Sequence, residues 1–181
     1  MKKLLLLLCL TVFTFGYSQE KTVIDFPKNE IKGNALFLVA GALEVTYEHL
    51  INEESGIGVS LFVPYVSDVS EKFNLTPFYR FYFGKKPAAG FFVEGFGMLN
   101  SYKYFTYNGM DYSNGLPLGL MYNDKVNRTD FALGFGLGAK WVTRKGFLFE
   151  INGGVGRNLF NSSDTDYQIV GRGGITLGYR F

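Results

Sequence analysis

Nine charged side chains stand where an extended chain would carry them to one side: Lys32, Glu44, Glu48, Arg80, Glu94, Lys140, Glu150, Arg172 and Arg180, each beside an apolar residue or glycine. Glu44 and Glu48 share a face, and paired carboxylates of this kind can act as general acid and base. His49 is the chain's one histidine. Acyl transfer would need it next to a serine, with a carboxylate to orient the ring. No serine stands within two residues of His49, and Glu48 alternates to the opposite face. The histidine reads as a polar residue at a surface, and the carboxylates as partners for buried cations. No cluster has metal-ligand spacing, so neither a metal nor a cofactor is expected. Gly134–Lys140 and Gly153–Arg157 are glycine-rich like phosphate loops, but a phosphate loop opens a helix and neither stretch is followed by helical periodicity. Their glycines read as room for the large side chains opposite.

The elements that must position these residues are strands. Leu43, Val45, Tyr47 and His49 alternate with Glu44, Thr46, Glu48 and Leu50, and Phe131, Leu133, Phe135, Leu137, Ala139 and Trp141 alternate with Ala132, Gly134, Gly136, Gly138, Lys140 and Val142. Side chains repeat on one face every second residue of a strand. The pattern predicts eight strands: 30–39, 43–51, 57–65, 75–83, 90–100, 130–143, 147–157 and 167–181. Short turns follow at 52–55, 84–88 and 143–146, and longer loops at 67–74, 101–128 and 159–166. The long gap at 101–128 carries Tyr102, Tyr104, Phe105, Tyr107, Tyr112 and Tyr122. Such aromatics form a candidate ligand surface, although tyrosines near a membrane also form its ordinary aromatic girdle and the strands could run on past the lipid.

Met1-Lys2-Lys3, the apolar run Leu4–Phe15 and Gly16-Tyr17-Ser18 have the order of a secretory signal peptide, cut before Gln19. The run is too short to span a bilayer as a helix, which takes about 20 residues. Cys9 lies inside it behind Leu8, where a lipid-attachment site would need a small residue. Cys9 is the chain's one cysteine, so the mature protein has no disulfide to form. Without Lys2 and Lys3 the mature chain has 16 basic and 16 acidic residues and no basic patch, which argues against nucleic acid. Phe 19, Tyr 12 and Gly 23 against Pro 5 suit many strands. The domain order is 1–18 signal peptide, 19–29 periplasmic segment and 30–181 barrel.

Eight strands joined in sequence, of about 9 to 11 residues each, match an up-and-down transmembrane barrel. Its backbone would be satisfied by closure. A soluble barrel or sandwich would turn more charges outward than these apolar stripes hold. An all-β, eight-stranded antiparallel barrel in the bacterial outer membrane is the fold expected, monomeric and in contact with outer-membrane lipid. An Arg or Lys facing lipid at mid-membrane costs roughly 2 to 4 kcal/mol, so the nine charges should line the lumen. Reflection across the turns predicts ion pairs Arg80–Glu94 and Lys140–Glu150, extended by Glu44, Glu48 and Arg172. Phe62, Phe78, Tyr82, Phe92, Phe96 and Met98 should also point inward and plug it. The final strand ends on Tyr179 and Phe181, the expected assembly signal.

Phe91-Phe92-Val93-Glu94-Gly95-Phe96-Gly97, the run from Asp130-Phe131-Ala132-Leu133-Gly134 through Lys140-Trp141-Val142, Phe149-Glu150-Ile151-Asn152 with Gly156-Arg157-Asn158-Leu159-Phe160, and Val170-Gly171-Arg172-Gly173-Gly174 carry a further likeness. Over most of the mature length the chain resembles a family of small outer-membrane β-barrel proteins of unassigned function common in Bacteroidota. That resemblance implies the barrel, its location and insertion by the barrel-assembly machinery, and offers no catalytic or ligand residue. The function expected is non-enzymatic, with two alternatives: an outer-membrane lipid-modifying enzyme and a narrow channel.

Overall fold

The structure, a computed structural model, describes residues 26–66, 70–113, 116–160 and 168–181, and between 104 and 126 the backbone alone. The expected signal peptide lies outside the described residues, as do the side chains of Tyr104, Phe105, Tyr107, Tyr112 and Tyr122. The elements are β1 (Asn29–Asn34), α1 (Ala35–Ala40), β2 (Ala42–Leu50), β3 (Ser55–Pro64), β4 (Glu71–Tyr82), β5 (Gly90–Ser113), β6 (Leu116–Val142), β7 (Phe147–Asn158) and β8 (Ile169–Arg180). Each strand pairs antiparallel with the next, and β1 pairs with β8 to close an eight-stranded up-and-down barrel. Closure leaves no free edge along the paired length.

Alternation holds around the wall. Ile57, Val59 and Leu61 of β3, Tyr79 and Phe81 of β4, and Leu133, Phe135 and Leu137 of β6 point outward, while Phe78, Arg80, Tyr82, Phe92, Phe96 and Met98 are buried inside. Lumen glycines seat the larger of these. A methyl group on Gly58 would lie 2.4 Å from the Phe78 ring, on Gly138 2.5 Å from Phe92, and on Gly134 2.3 Å from Phe96. The glycine-rich runs therefore hold space for aromatic rings across the strand.

Three segments differ from expectation. The predicted strand 30–39 stops at Asn34, and residues 35–40 turn into α1. Asn34 Oδ1 accepts from the amides of Leu36 and Phe37, at 3.1 and 3.3 Å, and Gly41 closes the other end at φ 96°. Ala-Leu-Phe-Leu-Val-Ala is continuously apolar, so alternation cannot choose between strand and helix. The asparagine cap and the left-handed glycine choose helix. The second difference is the predicted loop 101–128, which continues the ladder: β5 runs to Ser113 and β6 starts at Leu116, with register shifts near Phe105, Tyr107 and Asp111. Its Tyr, Phe and Thr content favours strands. β4 likewise begins at Glu71, inside the loop expected at 67–74.

Side chains fill the interior in layers. Leu50, Tyr82, Ala88 and Phe92 cluster towards the end that carries the short turns, with Phe26 against them. Phe78, Phe96, Met98 and Ala132 cluster towards the other end, with Val170 against them. The short β4–β5 turn is tucked in: Ala88 is fully buried, and its amide donates to the Glu53 carbonyl at 2.6 Å. Gly84 makes this possible, because a Cβ there would come 1.7 Å from the Ala89 carbonyl oxygen. Ionic side chains occupy the space between the two clusters.

Candidate functional site

The centre of the ionic layer is assembled from five of the eight strands. Lys32 on β1, Glu48 on β2, Arg80 on β4, Lys140 on β6 and Glu150 on β7 converge with fully or nearly fully buried side chains. Glu48 is the hub. Its carboxylate takes Lys32, Lys140 at 3.1 Å, Arg80 at 3.2 Å and the Tyr82 hydroxyl. Arg80 also donates to Glu150 and to Glu94, each at 2.8 Å, and its guanidinium lies 4.3 Å above the Phe92 ring. Lys32 reaches Glu150 at 3.1 Å, and Asn152 donates to the same carboxylate's other oxygen at 2.7 Å. Taking a charge out of water costs several kcal/mol unless other groups satisfy it, and here every carboxylate of the hub has more than one donor.

A lower layer anchors the tucked turn. Arg180 donates to Glu30 at 2.8 Å and to the carbonyls of Pro87 and Ala88 at 2.8 and 2.7 Å. One arginine thus ties β8, β1 and the β4–β5 turn together. On the other side of the hub, Arg172 lies 3.4 Å from Glu94 and donates to Ser60 at 3.1 Å, with its guanidinium over Phe78 and Phe96. Glu44 is held by the Asn34 amide at 2.6 Å, and that same amide donates to the Gly173 carbonyl at 3.1 Å.

All nine charged residues expected in the lumen point into it. Arg80 and Glu94 stand opposite each other in register and form the expected pair. Lys140 and Glu150 are also opposite in register, but they are 4.0 Å apart, because the Lys140 ammonium turns to Glu30 at 2.7 Å and to Glu48. Sequence reasoning left out Glu30. It lies two residues before Lys32 on the same strand face, and that spacing was the available signal. With Glu30 included, the glutamates Glu30, Glu44, Glu48, Glu94 and Glu150 match Lys32, Arg80, Lys140, Arg172 and Arg180 in number.

The candidates for acid–base chemistry do not come together. Glu48 is saturated by cations and Glu44 by an amide, while His49 is outside the barrel, with Nδ1 2.9 Å from Asn29 Oδ1. The Tyr47 hydroxyl donates to that same oxygen at 2.8 Å. This is a polar cluster on the rim. Tyr179 and Phe181 also face outward, and Phe181 exchanges backbone hydrogen bonds with Asn29 at 2.8 and 3.0 Å. Tyr102, by contrast, is buried.

At the end of the lumen beyond Met98 is a cavity of about 90 Å³, lined by Glu71, Asn74, Met98, Asn100, Tyr102, Asn158 and the Ile169–Gly171 stretch of β8. The Asn100 amide donates to Asn158 Oδ1 at 2.8 Å. No reading of spacing singled out these asparagines, because they come from three strands.

No family model matches the chain, and no curated protein matches it. Among solved structures it is similar to the N-terminal β-barrel domain of Pseudomonas aeruginosa OprF, with a TM-score of 0.54 and 14% identity over 85% of this chain and 96% of that one. At that identity the likeness is one of fold.

Proposed function

We propose that the chain is an integral protein of the bacterial outer membrane: a monomeric, non-enzymatic barrel with a lumen plugged by side chains and a binding surface at its outer end. The carrying observation is the inversion of polarity. Outward positions of β2, β3, β4 and β6 present Val45, Leu61, Tyr79, Phe135 and Leu137 at 39 to 70% exposure, while the ten charged side chains of the network are inside. A soluble protein of this size would leave most of its charge in water. In lipid the same arrangement satisfies every ladder group and keeps charge out of hydrocarbon. The likeness of fold to the N-terminal β-barrel domain of OprF supports the barrel on which this reading rests.

The long β5–β6 hairpin would stand outside the cell, with the short turns in the periplasm, and its tyrosines are the proposed surface for a ligand. The leader at 1–18 would export the chain, and the barrel-assembly machinery would insert it by its last strand. Deleting Phe181 should therefore lower the amount of heat-modifiable protein in the outer membrane. Membrane fractionation tests the integral-membrane reading: the chain should stay in the outer-membrane pellet through alkaline carbonate and concentrated urea washes, which strip peripheral proteins. Release into the wash would overturn it. In planar bilayers the closed interior should give no steady conductance. Lipid-deacylating activity lost on His49→Ala would replace the proposal with an enzyme.

A further inference from the structure

We infer that the cavity at the outer mouth of the lumen is a binding site for one uncharged sugar ring, an inference that rests on the outer-membrane reading only for which side of the cell the cavity faces. The cavity has a floor, walls and free acceptors. Met98 and Val170 form the floor and pack on Phe78 and Phe96, which separates the cavity from the ionic layer below. Tyr102 lines the wall as the aromatic side chain among the lining residues, and Asn74, Asn100 and Asn158 line it with amides.

Two of the lining residues carry a buried side-chain oxygen with no hydrogen-bond partner in the protein: Asn74 Oδ1 and Asn100 Oδ1. Asn100 is 4% exposed, and its amide nitrogen is spent on Asn158, so its carbonyl oxygen is left without a donor. A buried acceptor without a donor costs about 1 to 3 kcal/mol. A ligand here must therefore bring donors.

The lining also says which donors. Among the described residues no cation lines the cavity, so an anion would be held by neutral amide and hydroxyl donors alone. A full positive charge would be buried against Met98 and Val170 with Glu71 as its single carboxylate, and that residue is exposed at the rim. A calcium ion takes six to eight oxygens, usually several of them carboxylate, at roughly 2.3 to 2.6 Å. Hydroxyl groups on a ring with apolar faces fit both halves of the lining: amide oxygens take the O–H donors, and Met98, Val170 and Tyr102 take the C–H faces. A cavity of about 90 Å³ accommodates on the order of six to nine waters, comparable with one sugar ring and too small for a disaccharide. The ligand is either a free sugar or the end of a longer saccharide.

The test uses the full mature chain folded in a detergent without a sugar head group. It is titrated calorimetrically with glucose, galactose, mannose and N-acetylglucosamine, then with oligosaccharides ending in each. Saturable binding is expected for at least one of these sugars, weakened at least tenfold in both Asn74→Ala and Asn100→Ala. Asn74→Ala removes an oxygen that bonds nothing in the protein, so it should keep the parental heat-modifiable band even if Asn100→Ala does not. Binding of the free sugar assigns the site to a soluble ligand, and binding of the oligosaccharide alone assigns it to a glycan end. If no sugar of the panel binds, or if both variants bind with parental affinity, the inference falls. A separate arm labels Glu71→Cys with an impermeant maleimide on intact cells. Failure to label would remove the outward orientation and leave the calorimetric result standing.

Discussion

Arg80 holds three glutamates at once, Glu94 and Glu150 at 2.8 Å and Glu48 at 3.2 Å, with its side chain 1% exposed. Removing it leaves one negative charge in excess inside the wall. Arg80→Met should cost about 3 to 5 kcal/mol, the usual loss when one partner of a buried pair is removed. Adding Glu94→Gln restores the balance of charge and should recover part of that loss. Urea unfolding in phospholipid vesicles, followed by the single tryptophan Trp141, measures both; a double variant with no recovery would show that the excess charge is not what destabilises Arg80→Met. The Arg80–Glu94 pair was legible because one turn relates the two residues symmetrically. The Lys140 contact was not, because the ammonium passes over its registered neighbour Glu150 to reach Glu30 on β1, which lies 110 residues away in sequence. Reflection across turns finds partners on adjacent strands. Contacts across a lumen depend on barrel diameter and stagger, which no single hairpin encodes.

At the scale of elements, α1 is a break in the wall between β1 and β2, and Asn34 secures it. One side chain caps the helix, donates to Glu44 and donates to the Gly173 carbonyl of β8. Asn34→Ala loses the cap, worth about 1 kcal/mol, and leaves the Glu44 carboxylate without its donor, worth about 1 to 3 kcal/mol more. Asn34→Asp keeps a capping oxygen but sets a second carboxylate against Glu44, so it should fare no better than alanine. Hydrogen exchange at the Leu36 and Phe37 amides, together with the unfolding midpoint, reads the two effects separately; an aspartate variant as stable as the parent would mean that the cap alone matters. On the opposite side of the interior, Gly84→Ala should prevent the β4–β5 turn from tucking under Arg180. The unfolding free energy of this variant should fall by about 2 kcal/mol or more, as expected for a close backbone approach that allows no relaxation. Both devices are only half visible in sequence. Asn34 and Gly41 frame an apolar run that could equally be a strand, and Gly84 stands in a turn whose inward course depends on Arg180 at the far end of the chain.

At the scale of the whole molecule, the barrel itself was legible because period two survives in every strand, and a one-residue slip would turn each apolar stripe inward. The stagger that brings β1 to β8 was not, since no turn joins them. The same period allows a test that separates a lipid-embedded barrel from a soluble one with identical topology. Phe135 is 70% exposed in the middle of the apolar stripe of β6, and Phe160 is 76% exposed just past the end of β7. In water, replacing either with arginine should change stability by no more than about 0.5 kcal/mol, as for surface positions that make few contacts. In a bilayer the two positions part company. Phe135→Arg places a cation in hydrocarbon and should cost about 2 to 4 kcal/mol, whereas Phe160→Arg lies towards the head groups and should cost about 0 to 1 kcal/mol. The difference between the variants is the informative quantity, because loss of an aromatic ring contributes to both. Unfolding in vesicles should show that gap, and thicker bilayers should widen it by moving Phe135 farther from water. Two variants of equal stability would place the apolar belt in contact with something other than lipid, and the inversion of polarity would then need a protein partner to cover it.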